Sequence, residues 1–207
     1  MSGLVFLDCD GVLLDYVSGI RAFIEPRYGV TLNSEGPCSF DMEVWTGLQR
    51  CEIRKIINDF NGGSETGFDA LSPMPGALEG VRGLLDAGYR LRVLSSADAG
   101  GVSISSRLKN LSSVFGDVFD DVELIGLGVS KLDILRRYAP ADWVDDHLPN
   151  AIAGLEAGHR SHVIRQSHNR SLEGACMHPL LWSADLLEVR DRIHPDPSPV
   201  PGESHEI

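Results

Sequence analysis

Cysteine is scarce and poorly spaced for structural work: Cys9, Cys38, Cys51 and Cys176 form no CxxC or other metal-ligand spacing. That excludes a zinc module and argues for reduced thiols, with Cys9 packed inside a strand-end turn. Positive charge is short too, since 18 Lys and Arg stand against 30 Asp and Glu, for a formal net charge of -12. A surface of that sign cannot neutralise a phosphate backbone, so a nucleic-acid polymer is excluded as partner; a small anion held by a metal and one lysine is not. No apolar run approaches the roughly 20 residues that cross a bilayer, so no membrane association is expected. The opening MSGLVFLDCD lacks a basic segment and its apolar run stops at Asp8, which predicts no signal peptide and a cytoplasmic location. Internal repeats are missing as well.

What the chain does have is a hydrophobic content of 43% over 207 residues, enough for one large domain or a core with an insertion. Its organising stretch is LVFLDCDGVLLD at 4–15. Four apolar residues run into Asp8 and Asp10 and then Gly11, the pattern of a strand buried on both faces of a parallel sheet that delivers its acids at the carboxyl end. In open parallel sheets that end is the ligand crevice. Residues two apart on an extended backbone point the same way, so both carboxylates can face one small site. They repel one another unless a cation sits between them, and clustered oxygen ligands suit Mg²⁺.

Further strands are read at Leu91 to Leu94, Val122 to Gly126, the short WVDD run ending in Asp145 and Asp146, and Ser161 to Arg165. Helical patterns lie between them, one starting near Pro75 and others near 105–114, after Lys131 and over 148–157. Strands alternating with helices predict an α/β, doubly wound, Rossmann-like parallel sheet of five strands in the order 3-2-1-4-5. Residues 16–73 are too long for a simple crossover and carry two helical patterns, Tyr16 to Tyr28 and about Glu43 to Phe60, the second ended by Asn61, Gly62, Gly63 and Ser64. They are expected to form a small helical cap inserted into a core made of 1–15 and 74–193. Residues 194–207, with alternating prolines, are expected to be a disordered tail.

Three strand ends thus carry polar groups: Asp8 with Asp10, Ser95 with Ser96, and Asp145 with Asp146. Lys131 lies between the last two, near a helix start. Acids for a metal, a hydroxyl donor and a cation suit phosphoryl transfer, in which a carboxylate can carry the group as an aspartyl phosphate. The plainer readings stay open at this point: Asp145 and Asp146 could cap the next helix, Lys131 could be a solvated first-turn lysine, and either serine could be a cap. His147 reads as a rim or packing residue and His168 with Asn169 as a loop feature, while Trp45, Phe60 and Phe68 could stack on a substrate or fill the cap core.

The order acid pair, cap, serine, lysine, acid pair resembles the haloacid dehalogenase superfamily, with DCDGV at 8–12, LRVLSS at 91–96, Lys131 and WVDD at 143–146 as its four motifs. The resemblance implies that Asp8 is the nucleophile and Asp10 the general acid and base. It implies Mg²⁺ held by Asp8, the Asp10 carbonyl, Asp145 and Asp146. It implies also that Ser95, seconded by Ser96, binds a phosphoryl oxygen, with Lys131 neutralising charge. An acid at Asp10 favours a phosphatase over a dehalogenase, whose leaving group needs no proton.

A closer likeness is to the C-type 5'-nucleotidases, the 5'(3')-deoxyribonucleotidases. It is carried by DCDGVLLD, GFDALSPMPGAL at 67–78, VDD at 144–146, SHNRSL at 167–172 and LLWSADLLEV at 180–189. The chain departs from that family in having Ser95-Ser96 for a usual Thr-Ser pair and Val129 where an arginine is common. Tyr16 keeps the family's aromatic after the first motif and is a candidate substrate contact. The expected activity is therefore Mg²⁺-dependent hydrolysis of a small phosphorylated metabolite, first a (deoxy)ribonucleoside 5'-monophosphate, with a homodimer admitted. The alternatives are a phosphatase for a sugar phosphate or phosphoglycolate, and a non-catalytic binding module on the same fold.

Overall fold

The computed structural model describes residues 3–62, 66–97 and 101–194. Six parallel strands form one sheet in the order β3-β2-β1-β4-β5-β6: β1 Leu4–Leu7, β2 Arg90–Ala97, β3 Asp121–Gly126, β4 Asp142–Asp145, β5 Arg160–Ile164 and β6 Leu181–Ser183. The first five agree with the expected strands and with their order. The sixth is a correction, because five were expected. It escaped notice because three residues are too few to show a period, and it is held by pairing along β5 from His162↔Leu181 to Ile164↔Ser183.

The chain runs outward from β1 through β2 to β3, then returns to the other side of β1 to start β4. The order therefore reverses at β1 and β4, and the crevice beyond their carboxyl ends is the ligand position of such sheets. The register sets Leu7 beside Val93 on one side and Val144 on the other. Asp8 thus emerges next to Asp145, while β2 runs past the end of β1 and carries Ser95 and Ser96 over the same edge.

Alternation along β1 supplies two cores. Val5 and Leu7 join Val93, Val144 and Leu84 on one face, while Phe6 meets Leu94, Leu135 and Trp143 on the other. Between β1 and β2 the chain forms helices α1 Tyr16–Tyr28, α2 Met42–Thr46 and α3 Arg50–Gly62, then a short 3₁₀ turn at Phe68–Ala70. The single helix expected over 43–60 is two. Gly47 takes a left-handed conformation (φ 68°) and caps α2, a geometry that costs glycine little and ends helices readily. The expected stop signals Gly63 and Ser64 lie outside the described residues. Phe23, Ile56, Phe60 and Phe68 of this segment sit in the same apolar cluster as Val5 and Leu7.

The remaining helices are α4 Ala77–Asp86, α5 Gly101–Phe115, α6 Leu132–Leu135, α7 Leu148–Glu156 and α8 Leu186–Ile193. From residue 195 onward the expected tail lies outside the described residues. Among the described residues no helix is long and apolar enough to cross a membrane.

Candidate active site

Asp8 is the first residue beyond β1, and its amide donates to the carbonyl of Val144 at 2.9 Å, which ties the ends of β1 and β4 together. Asp145 closes β4 and Asp146 follows it. Asp8, Asp145 and Asp146 are all buried, and each offers a carboxylate oxygen within 4.8 Å of the others. Gly11 lets the chain turn away at φ 74°, and a Cβ there would stand 2.0 Å from Asp146 Oδ2. Only glycine lets the loop close this tightly on the acids.

Lys131 enters from the start of α6, itself buried. Its Nζ lies 2.9 Å from Asp8 Oδ1 and 2.8 Å from Asp145 Oδ2, and it sits 5.0 Å from the centre of the Trp143 ring. Burial works against its charge, but Asp145 and Asp8 outweigh that and raise its pKa. The amide of Cys9 also donates to Asp8 Oδ1 at 2.7 Å, and the amide of His147 to Asp145 Oδ1 at 2.7 Å.

Three buried carboxylates facing one amine leave negative charge uncompensated. Burial, above all, and then mutual repulsion raise the pKa of Asp145 and Asp146. Asp145 rises in spite of Lys131. A small divalent cation would supply the missing charge, and an all-oxygen donor set suits Mg²⁺ better than a nitrogen- or sulfur-seeking metal. The residues present therefore fit the ion that the sequence led us to expect.

Asp10 stands apart from this cluster. Its carboxylate faces Arg107 of α5, whose Nη2 donates to Oδ2 at 2.8 Å and lies 2.6 Å from Oδ1. Burial pushes Asp10 up to about 6, against the downward pull of Arg107. Ser95 is buried and Ser96 half-buried in the last turns of β2, pairing with Leu124 and Ile125 of β3. Tyr16 packs its ring edge-on against Phe60 and Phe68 and donates its hydroxyl to Asn61 Oδ1 at 3.0 Å. Burial, and then the charge of Asp10, push this phenol up. Phe60 and Phe68 are core residues, almost fully buried.

Arg107, Gln166 and Phe40 were not expected at the site, and Asn169 has a larger part than its sequence reading gave it. Arg107 looks in sequence like any charge on an amphipathic helix. Gln166 Nε2 donates to the carbonyl of Gly11 at 2.7 Å and so braces the turn beside Asp10. Asn169, read as a loop feature, is fully buried; its Nδ2 donates to the carbonyls of Asp146 (2.6 Å) and Ile164 (2.8 Å), and its Oδ1 accepts from the Gln166 amide. Phe40, exposed in the segment before α2, stacks on His147 with ring centres 3.9 Å apart and meets His168 edge-on. The SHNRSL stretch, one carrier of the nucleotidase likeness, already pointed to His168 and Asn169.

No protein-family model matches the chain, and no curated protein matches it. Solved structures do. A haloacid dehalogenase-like hydrolase from Streptococcus pneumoniae is 15% identical, with a TM-score of 0.67 over 93% of this chain and 98% of its own. The D,D-heptose 1,7-bisphosphate phosphatase of B. bronchiseptica, solved with magnesium and phosphate, is 16% identical, with a TM-score of 0.57 over 93% and 98%. The L-2-haloacid dehalogenase of Xanthobacter autotrophicus, with chloropropionic acid covalently bound, is 14% identical, with a TM-score of 0.57 over 93% and 98%. At such identities the likeness is one of architecture, and the chain has the haloacid dehalogenase-like fold.

Proposed function

We propose that the protein is a Mg²⁺-dependent phosphatase that hydrolyses a small phosphomonoester through an aspartyl phosphate on Asp8. One observation carries the reading: Asp8, Asp145, Asp146 and Lys131 converge at the carboxyl edge of the sheet although the chain visits them far apart. In this reading a carboxylate oxygen of Asp8 attacks phosphorus, and the bond from phosphorus to the leaving oxygen breaks. Asp10 gives that oxygen its proton, a task for which a carboxyl titrating near 6 is well matched to neutral conditions. A water then attacks the aspartyl phosphate, gives its proton to Asp10, and releases inorganic phosphate and free Asp8. Ser95, with Ser96, and Lys131 bind the phosphoryl oxygens and balance their charge. Asp8, Asp145, Asp146 and the Asp10 carbonyl would hold the Mg²⁺, which supplies electrophilic stabilisation of the transferring group.

The helical segment 16–73 we take as a cap over this crevice and 1–15 with 74–193 as the catalytic core. The presence of Asp10 favours this reaction over dehalogenation, since a departing halide needs no proton. For the leaving group, Phe40 supports a nucleoside: the residue is 61% exposed, and its ring, backed on one side by His147 next to the acids, offers the other face to a planar base. A sugar phosphate is the second reading, supported by the heptose bisphosphate phosphatase among the structural neighbours.

The test is phosphate release from an aryl phosphate and from a panel of nucleoside monophosphates and sugar phosphates. Release should need Mg²⁺, stop in excess EDTA and vanish in Asp8→Asn. Full turnover by Asp8→Asn would remove the mechanism, and indifference to every nucleotide would remove the nucleoside preference.

A further inference from the structure

We propose that Arg107 is the positioning residue for Asp10, and that through it the segment returning from the inserted helices to the sheet sets the direction of the proton-donating carboxyl; this rests on the phosphatase reading above. Arg107 leaves only 1% of its side chain exposed, yet of its three guanidinium nitrogens only Nη2 is engaged, lying within 2.8 Å of both Asp10 oxygens. Nε and Nη1 have no hydrogen-bond partner among the described residues. A buried guanidinium normally offsets its lost hydration by using its whole fork of donors. Here it spends one nitrogen on one carboxylate, so its burial is not accounted for by structural satisfaction. The Asp10 side chain, by contrast, keeps 30% of its surface exposed, although its Oδ1 is itself buried.

The frame that holds Arg107 is the stretch 68–74. The guanidinium carbon lies 4.4 Å from the centre of the Phe68 ring. On the same helix Lys109 pairs with Asp69 at 2.7 Å, and Asn110 brackets Leu71 by accepting from its amide (3.0 Å) and donating to its carbonyl (3.1 Å). Beyond it, the amide of Asp15 donates to the Ser72 carbonyl and that of Met74 to the Leu13 carbonyl, both at 2.9 Å. The return segment therefore braces the Asp10 loop directly along its backbone and, through Phe68 and Arg107, at its carboxylate. The other charged groups around Asp10 are Asp8, Lys131 and Asp146, and all three belong to the phosphoryl site.

The consequence is specific to one bond. When the phosphorus–oxygen bond breaks, the electron pair goes to the leaving oxygen, the proton passes to it from Asp10, and the carboxylate that remains is paired to Arg107. A misdirected Asp10 slows that step only when the leaving oxygen needs the proton. An alkyl phosphate needs it; 2,4-dinitrophenyl phosphate, whose phenolate leaves unaided, does not.

The experiment compares kcat/KM for an unactivated alkyl phosphate and for 2,4-dinitrophenyl phosphate in wild type, Arg107→Met, Arg107→Lys and Phe68→Leu. Because general acid catalysis contributes about 10²–10⁴-fold, Arg107→Met should lose about 100-fold or more with the alkyl ester and under about tenfold with the activated one. Arg107→Lys should recover part of that gap, and Asp10→Asn combined with Arg107→Met should lose no more than Asp10→Asn alone. Equal losses on both substrates overturn the inference. Should Arg107→Met not fold, Phe68→Leu carries the test: it should shift the ratio in the same direction, and an unchanged ratio overturns the inference equally. A wild type that releases phosphate from neither ester sinks the phosphatase reading instead.

Discussion

Gly11 and Asp146 approach so closely that a methyl group on the one would stand 2.0 Å from a carboxylate oxygen of the other. Gly11→Ala therefore meets two obstacles at once, a left-handed backbone at φ 74° and a collision with a buried acid. The strain alone is worth about 1–3 kcal/mol. Urea unfolding should show a loss of at least that size, and the rise in melting temperature produced by saturating Mg²⁺ should shrink, because Asp146 is pushed from its place. A variant as stable as wild type with an undiminished Mg²⁺ response would contradict the packing described.

Among the described residues, Lys131 is the one amine placed among the three buried acids. Removing one member of a buried ion pair typically costs about 3–5 kcal/mol, and Lys131→Met should approach that loss in EDTA. Added Mg²⁺ should stabilise the variant more than it stabilises wild type, since the ion then carries all of the compensating charge. Thermal melts with and without Mg²⁺ measure both effects, and an equal Mg²⁺ shift in the two proteins would argue against a shared charge balance.

At the opposite end of β4, Asp142 pairs with Arg160, whose Nη2 reaches Oδ2 at 2.9 Å, and with His162 Nε2 at 2.8 Å. Burial by itself would raise this carboxyl, but the hydrogen bonds from His162 and Arg160 outweigh it and hold it below the ordinary carboxylate range. A folded-state value below the unfolded one gives stability that is present above the unfolded pKa of about 4 and is lost as the medium acidifies through the folded value. The stability gap between wild type and Asp142→Asn should thus be widest at neutral pH and close below about pH 4. Denaturation curves at pH 7, 5 and 3 check it, and a gap that widens in acid would reverse the sign.

The strands and the place of the acids were legible because they rest on local signals, namely the apolar run Leu4–Leu7, acids directly after Leu7 and Val144, and glycine at Gly11; the order is that of a doubly wound sheet, and no local signal carries it. Helix α1 was legible to the residue, since Asp15 accepts from the Ser18 amide at its start and Gly29 turns left-handed at its end. What stayed hidden depends on partners distant in sequence. Strand β6 exists through its pairing with β5, and the break at Gly47 through a backbone conformation that the helical pattern around it masked. Arg107 lies 97 positions from Asp10 along the chain. No spacing rule links the two, and only the fold brings them together.

The apolar cluster that joins Phe23, Phe60 and Phe68 to Val5 and Leu7 is continuous from the inserted helices to the sheet. Swinging those helices outward as a body would wet several aromatic rings, each a large apolar surface. Traffic to the acids is therefore cheapest through small adjustments at the rim, where Phe40 faces water beside a half-buried His147, and a ligand too large to slip past them would be turned away by size.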